Sequence, residues 1–417
     1  MAVVKGLLLA AILAVQAVYA LSTFTSSAQR EALARRHFSE EEIARGRRRA
    51  REVRAAVWLH TTLQLALLGW LASSGLAGRL AERAAGREPG LLRYALAVAA
   101  VAALCFVLQR LASFPFSVFL GHVHPKAWGL SDRAFLGWLA DYAKALGIGA
   151  LLGLALTLGF YLAARALPRG FWLAATAGSA LVGVLIAYAA PLVIAPLFNR
   201  FTPLGQTPQA ALLGDVRAMT ERAGLPVRDV LVMDASRQGR FTNAYFAGFG
   251  STRRIVLYDT LLASHTREET LSILAHEIGH WRAHHIAKGL ALGTLGAAVG
   301  FFLLQWLFGL ASTREAAGIG GLADPAGLPL LLLVASLAGF LTAPIQNAVS
   351  RAFEREADRA ALELGGSARV FVDAERRLAT DNLGDLAPPD AAVIFFATHP
   401  PAVERIAMAE AWEAGNR

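Results

Sequence analysis

The chain has 417 residues, of which 55% are apolar and only 17% charged, with a formal net charge of +9. A soluble domain carries about 25% charged residues, so this chain cannot cover a globular surface with charge, and much of its exterior must face lipid. That excludes an ordinary cytosolic enzyme, a disordered chain and a disulfide scaffold; the single cysteine, Cys105, has no internal partner.

About 20 apolar residues cross a bilayer as a helix, and seven charge-poor runs meet that length. In chain order they are Gly6 to Gln29, Ala55 to Gly78, Leu91 to Leu111 (with Arg110 at its end), Ala145 to Ala164, Gly170 to Asn199, Gly289 to Thr313 and Pro325 to Ser350. They are apolar all round rather than along one stripe, as lipid or bundle burial requires. The first run, with Lys5 ahead of it and Val18-Tyr19-Ala20 inside it, also fits a cleaved signal peptide. Its continuation to Gln29 and the basic stretch after it favour a retained span.

The segment Arg30 to Arg54 holds nine arginines and five glutamates. The positive-inside rule places it in the cytoplasm. The N-terminus then lies outside, and Ala112–Lys144, Arg200–Lys288 and the C-terminal tail lie inside. The densest basic stretch, Arg45 to Arg54, sits between two spans, so it reads as a topology signal or a contact with anionic lipid heads rather than a nucleic-acid site.

Arg200 to Lys288 changes character. Thr207 and Pro208 read as an N-cap and first helical residue. Leu212, Val216 and Met219 repeat at helical spacing until Gly224-Leu225-Pro226. Asp229–Asp234, Asn243–Phe249 and Arg254–Tyr258 read as strands, the last two around a Gly250-Ser251-Thr252 turn. Thr266-Arg267-Glu268-Glu269 is a capping box opening a helix. The expected architecture is an α-helical multi-pass membrane bundle of about seven spans with a small inserted α+β domain. It divides into a five-span region (1–199), the insert (200–288), two further spans (289–350) and a helical polar tail (351–417).

The helix opened by Thr266 carries His276-Glu277-Ile278-Gly279-His280. Residues four apart share a helix face, so His276 and His280 can grip one zinc ion while Glu277 reaches its water as general base. Gly279 lowers helix propensity by about 1 kcal/mol relative to alanine, which points to a close approach by another element. A catalytic zinc needs a third protein ligand and an open position. A metzincin would have glycine at 283 and histidine at 286, but this chain has Ala283 and Ile286, so His284 and His285 read as a polar rim at the membrane surface. The block Ser350 to Asp358 offers a carboxylate instead. Glu354 and Asp358 lie four apart on one face, and Glu356 points elsewhere. The expected set is His276, His280 and Glu354 around one zinc ion per chain, with Asp358 holding a histidine in its correct tautomer.

Together these pieces resemble the type I CAAX prenyl proteases, integral-membrane zinc metallopeptidases of the gluzincin kind. Pro196 to Leu204, Asn243-Ala244-Tyr245-Phe246, Ile255 to Leu261, HEIGH at 276–280, Ser350 to Asp358, and Thr398-His399-Pro400-Pro401 followed by Arg405 carry the resemblance. It implies seven spans around a water-filled chamber, capped by the catalytic domain, with the substrate lying as an added strand. It further implies that Asn243, Ala244 and Tyr245 hold the peptide backbone, that His399 stabilises the oxyanion, and that Arg405 supports the site from behind. For Tyr245 a purely supporting role stays open, and the bland reading of the HPP run is a helix start. The chain departs from the family at Phe241, where a histidine is often found, and in the loop Gly121 to Lys144.

The resulting expectation is a zinc metalloendopeptidase in a bacterial inner membrane, its zinc site near the cytoplasmic face. It would act on prenylated CAAX-type or other membrane-associated peptides, with lipid and peptide as partners and no nucleic acid. The alternatives are a quality-control protease of the HtpX type, which has fewer spans, and a transporter or scaffold with a structural zinc.

Overall fold

The computed structural model describes residues 2–86, 90–225, 227, 229–248, 254–365 and 367–416. The expected turn at Gly250-Ser251-Thr252 and the helix stop at Pro226 lie outside the described residues. Seven helical segments are long and apolar enough to cross a membrane: Leu9–His37, Glu40–Ser73, Leu91–Ala127, Phe135–Ala166, Phe171–Leu197, His285–Gly309 and Pro325–Gly365. They correspond in order to the seven runs read from the sequence.

Helix ends and charge-free runs do not coincide. The first apolar helix, Ala2–Phe24, stops well before Gln29, and Ala28–His37 forms a separate helix. The third runs on past Arg110 as Leu91–Val118 and a π-turn at Phe119–Val123. The fourth begins at Phe135. Most of the expected loop 112–144 is therefore helical. A charge marks where lipid ends, whereas a helix ends only where its backbone bonds find no successor.

The first, second and seventh spans pack through Val15, Tyr19, Leu65, Leu68, Leu333 and Leu337. The fifth and sixth spans pack mainly on each other. No residue of their most apolar stretches is buried within the protein. Exposed leucines such as Leu181 and Leu295, 60% and 63% accessible, are the expected lipid-facing groups.

The basic stretch makes tertiary contacts. Arg45, Arg48 and Arg51 are exposed, but Arg47, Arg49 and Arg54 turn inward. Arg54 pairs with Asp385 at 2.9 Å, and Arg49 donates to the carbonyls of Asn382 and Leu383. A side chain at Gly46 would collide with the Gly384 carbonyl at 2.1 Å. This face of the second span thus holds the C-terminal tail against the bundle.

The insert contains a four-stranded sheet of β1 (Phe201–Pro203), β2 (Asp229–Met233), β3 (Ala244–Ala247) and β4 (Arg254–Tyr258), in the order β1-β2-β4-β3. β2 and β4 are parallel; the outer pairs are antiparallel. Apolar, β-branched residues favour these strands, and Ile255 and Leu257 meet Leu274 and Ile278 of the helix Arg267–Arg282 in the core. β3 is an edge strand, with β4 on one side only. Thr207 does not cap a helix. Its hydroxyl donates back to the Leu204 carbonyl at 2.8 Å, and the helix starts at Leu212.

Candidate metal centre and active site

The capping box forms as read. Thr266 Oγ1 accepts from the Glu269 amide at 3.2 Å, and the Glu269 carboxylate accepts from the Thr266 amide at 2.7 Å. From this anchored start the HEIGH helix runs into the helix Leu328–Gly365, which is 38 residues long and carries the seventh span. Gly279 is the point of closest approach. A Cβ there would lie 2.9 Å from the Ala357 backbone and from Ala360 Cβ. The absent side chain lets the two helices close, so that one helix face presents the histidines and the other Glu354 and Asp358.

His276 Nε2 lies 3.1 Å from His280 Nε2. Each is 3.3 Å from an oxygen of Glu354. These three residues offer donor atoms all within 4.8 Å of one another and could hold one metal ion. Two features fit a cation there. Glu354 Oε2 is buried without a hydrogen-bond partner. Burial favours a neutral His276 ring, yet the adjacent Asp358 and Glu354 carboxylates outweigh it and push its pKa up to about 10. The cluster is arranged around positive charge, and two imidazoles with one carboxylate are a zinc-type donor set.

Behind the donors, Asp358 Oδ1 meets His276 Nδ1 at 2.8 Å. Arg405 grips the same carboxylate with two nitrogens at 2.9 and 2.5 Å, and its third nitrogen reaches Glu375 at 2.7 Å. Burial disfavours the Arg405 charge, but Glu375 and Asp358 more than offset it, and its pKa rises. Glu375 was not singled out from the sequence. Its signal was a lone acid on the apolar face of the helix Ala368–Asp381, beside Phe371 and Ala374, both buried.

Glu277 lines a cavity of about 360 Å³ together with Asn243, His276, Glu375, His399 and Arg405. Burial pushes its carboxyl up from the usual range, opposed by the two histidines and by the Phe246 amide of β3. A base with a raised pKa is the stronger proton acceptor. His399 sits just ahead of the helix Ala402–Gly415, with Nε2 3.4 Å from Glu354 Oε2 and its side chain 61% exposed. Asn243 is exposed at the cavity and turns its side-chain oxygen to the Ala244 amide at 2.9 Å. Ala244 points into the core, and Tyr245 packs edge-on to Tyr258, with centroids 6.3 Å apart. Neither lines the cavity.

One expectation is corrected for His285. His284 is exposed, but His285 does not join it at the surface. His285 is buried, and its Nδ1 lies 2.9 Å from His280 Nδ1. The chain turns back at His284, whose φ is 55°, so a position that would face away on a continuous helix returns to the site.

The profile of peptidase family M48 matches residues 207–413, and that of the CAAX prenyl protease N-terminal region, with five membrane helices, matches residues 25–200. The metalloprotease YhfN of Bacillus subtilis is 30% identical over 73% of this chain and 71% of its own length. CAAX prenyl protease 1 of Saccharomyces cerevisiae is 27% identical over 76% of this chain and 73% of its own. The crystal structure of S. mikatae Ste24p shares the fold, with a TM-score of 0.82 over 97% of both chains at 22% identity. The fold and site thus define a multi-pass membrane metalloprotease. The chain belongs to peptidase family M48, in the group that contains the CAAX prenyl proteases. The match to the five-helix N-terminal region disfavours both the quality-control and the transporter alternatives.

Proposed function

We propose that the protein is a zinc endopeptidase that cleaves CAAX-type or other membrane-associated peptides at the cytoplasmic face of a bacterial inner membrane. The observation that carries this reading is the convergence of His276, His280 and Glu354, with His276 and the neighbouring Glu277 lining a cavity that reaches Asn243 at the start of the edge strand β3. The family supplies the substrate class, since relatives are named as CAAX prenyl proteases. The geometry adds that the helix bearing Glu354 is the continuation of a membrane span.

His276, His280 and Glu354 would hold the ion, and Asp358, itself gripped by Arg405, fixes the His276 ring. A zinc ion held there would supply a Lewis acid for the scissile carbonyl and acidify a water toward a pKa of about 7. The peptide lies along β3, whose outer edge offers main-chain hydrogen bonds, with the Asn243 side chain at its start. Glu277 takes the proton of the attacking water and delivers it to the leaving amine. His399 Nε2 donates to the carbonyl oxygen as negative charge develops there. The test is cleavage of a reporter peptide with metal analysis alongside. Glu277→Gln is expected to keep its zinc and lose activity by about 10²–10⁴-fold, and Glu354→Ala to lose the zinc. Full activity in the first variant, or full zinc content in the second, would overturn the assignment.

A further inference from the structure

We infer that His285 and Glu356 form a positioning relay for the metal ligand His280, the counterpart of Asp358 and Arg405 behind His276. This rests on the reading of His276, His280 and Glu354 as a metal site. His280 Nδ1 lies 2.9 Å from His285 Nδ1, and His285 Nε2 lies 3.0 Å from the Glu356 carboxylate. The His285 side chain is 5% exposed and Glu356 53%. The His285 ring stacks on Phe353, with centroids 4.2 Å apart and planes 11° from parallel.

The protons in this chain have one consistent arrangement. A His280 that binds through Nε2 carries its ring proton on Nδ1 and donates it to His285. His285 must accept at Nδ1, so its own proton sits on Nε2 and is donated to Glu356. Each N–H then has an acceptor, and the His280 tautomer that leaves Nε2 free for a metal is the one the relay selects. The stack on Phe353 fixes the plane of the intermediate ring.

The backbone is shaped for this contact. On a continuous helix a residue five positions after His280 would lie about 140° around the axis. The left-handed turn at His284, uncommon for a residue with a side chain, ends the HEIGH helix at Arg282 and starts the sixth span at His285. Glu354, Glu356 and Asp358 then take three distinct tasks from one short stretch. Glu354 meets the donors, while Asp358 and Glu356 reach the two histidines from behind on separate paths.

The test is the zinc affinity and release rate of the purified full chain, read by competition with a chelator. His285→Phe keeps an aromatic ring against Phe353 and removes the acceptor; its zinc Kd is expected to rise about 10–100-fold. His285→Asn places a carbonyl oxygen near the former Nδ1 and is expected to recover part of that loss. Glu356→Ala, at an exposed position, is expected to give a smaller rise while still filling the site at saturating zinc. Lys288→Ala, which touches Glu356 at 3.6 Å but stands outside the relay, is expected to match the wild type. A wild-type Kd in both His285→Phe and Glu356→Ala would overturn the relay, as would equal impairment of the Phe and Asn variants. Absence of zinc uptake by the wild type would instead sink the metal site itself, so the two failures are distinguishable.

Discussion

The HEIGH helix and the fifth span invert the rule that the more apolar helix is the more buried. Of the 16 residues in Arg267–Arg282, eight are buried, among them Glu269, Thr270, Ser272 and His276. Of the 19 in Phe171–Ala189, only Phe171 is. Apart from its contacts, mainly with the sixth span, the fifth span has lipid as its partner. The HEIGH helix is held by shape at Gly279 and by charged groups that satisfy one another. The candidate site sits where the chain buries polar atoms at cost.

The sharpest way to break this contrast is to remove the central polar contact of the buried side. Asp358 is fully buried between His276 and Arg405. Asp358→Ala leaves Glu375 as the guanidinium's one carboxylate hydrogen-bond partner and His276 Nδ1 without an acceptor. Breaking such a pair costs about 3–5 kcal/mol, and loss of the histidine's support costs about 10–100-fold in metal affinity. Unfolding of the metal-free protein and zinc competition measure the two effects separately. Unchanged stability would mean that the ionic cluster does not hold the helices together.

Gly279→Ala probes shape without touching charge. The new methyl would sit 2.9 Å from backbone atoms of the facing helix, which cannot retreat as a flexible side chain could. Overpacking of this kind costs about 1–3 kcal/mol, against which alanine's better helix propensity returns only about 1 kcal/mol. Glu354 would be displaced from the histidines. Cleavage and zinc affinity are expected to fall together; a variant at least as stable and as active as the wild type would show that the close approach is dispensable.

How much of this was legible in sequence follows the same division. The spans were, because charge-free length is a direct image of bilayer thickness. His276, His280, Glu354 and Asp358 were, because each pair obeys helical spacing within one element. His285 was not, since it reaches His280 only through a left-handed turn at a non-glycine residue, a conformation that the sequence around it does not announce. β1 was missed because it is three residues ending in Pro203, and a proline cannot donate to the ladder. The inward face of the basic stretch was missed because its partners, Asn382, Leu383 and Asp385, lie more than 300 residues away.

The smallest expected effect tests the open side of the comparison. Leu181 is 60% exposed on the fifth span, while Leu333 on the seventh is 2% exposed within the packed cluster. Both are leucines in apolar helices, so composition alone would assign them equal weight. Leu333→Ala opens a cavity among Val15, Leu65 and Leu68, a change that costs about 2–5 kcal/mol. Leu181→Ala removes a side chain that meets lipid in both the folded protein and the separated helices. Its effect on stability is expected to stay within about 0.5 kcal/mol, as for positions outside a packed feature. Unfolding of the two variants in the same detergent reads the difference. Equal destabilisation would mean that the exposed face carrying Leu181 has a protein partner in the membrane beyond the sixth span.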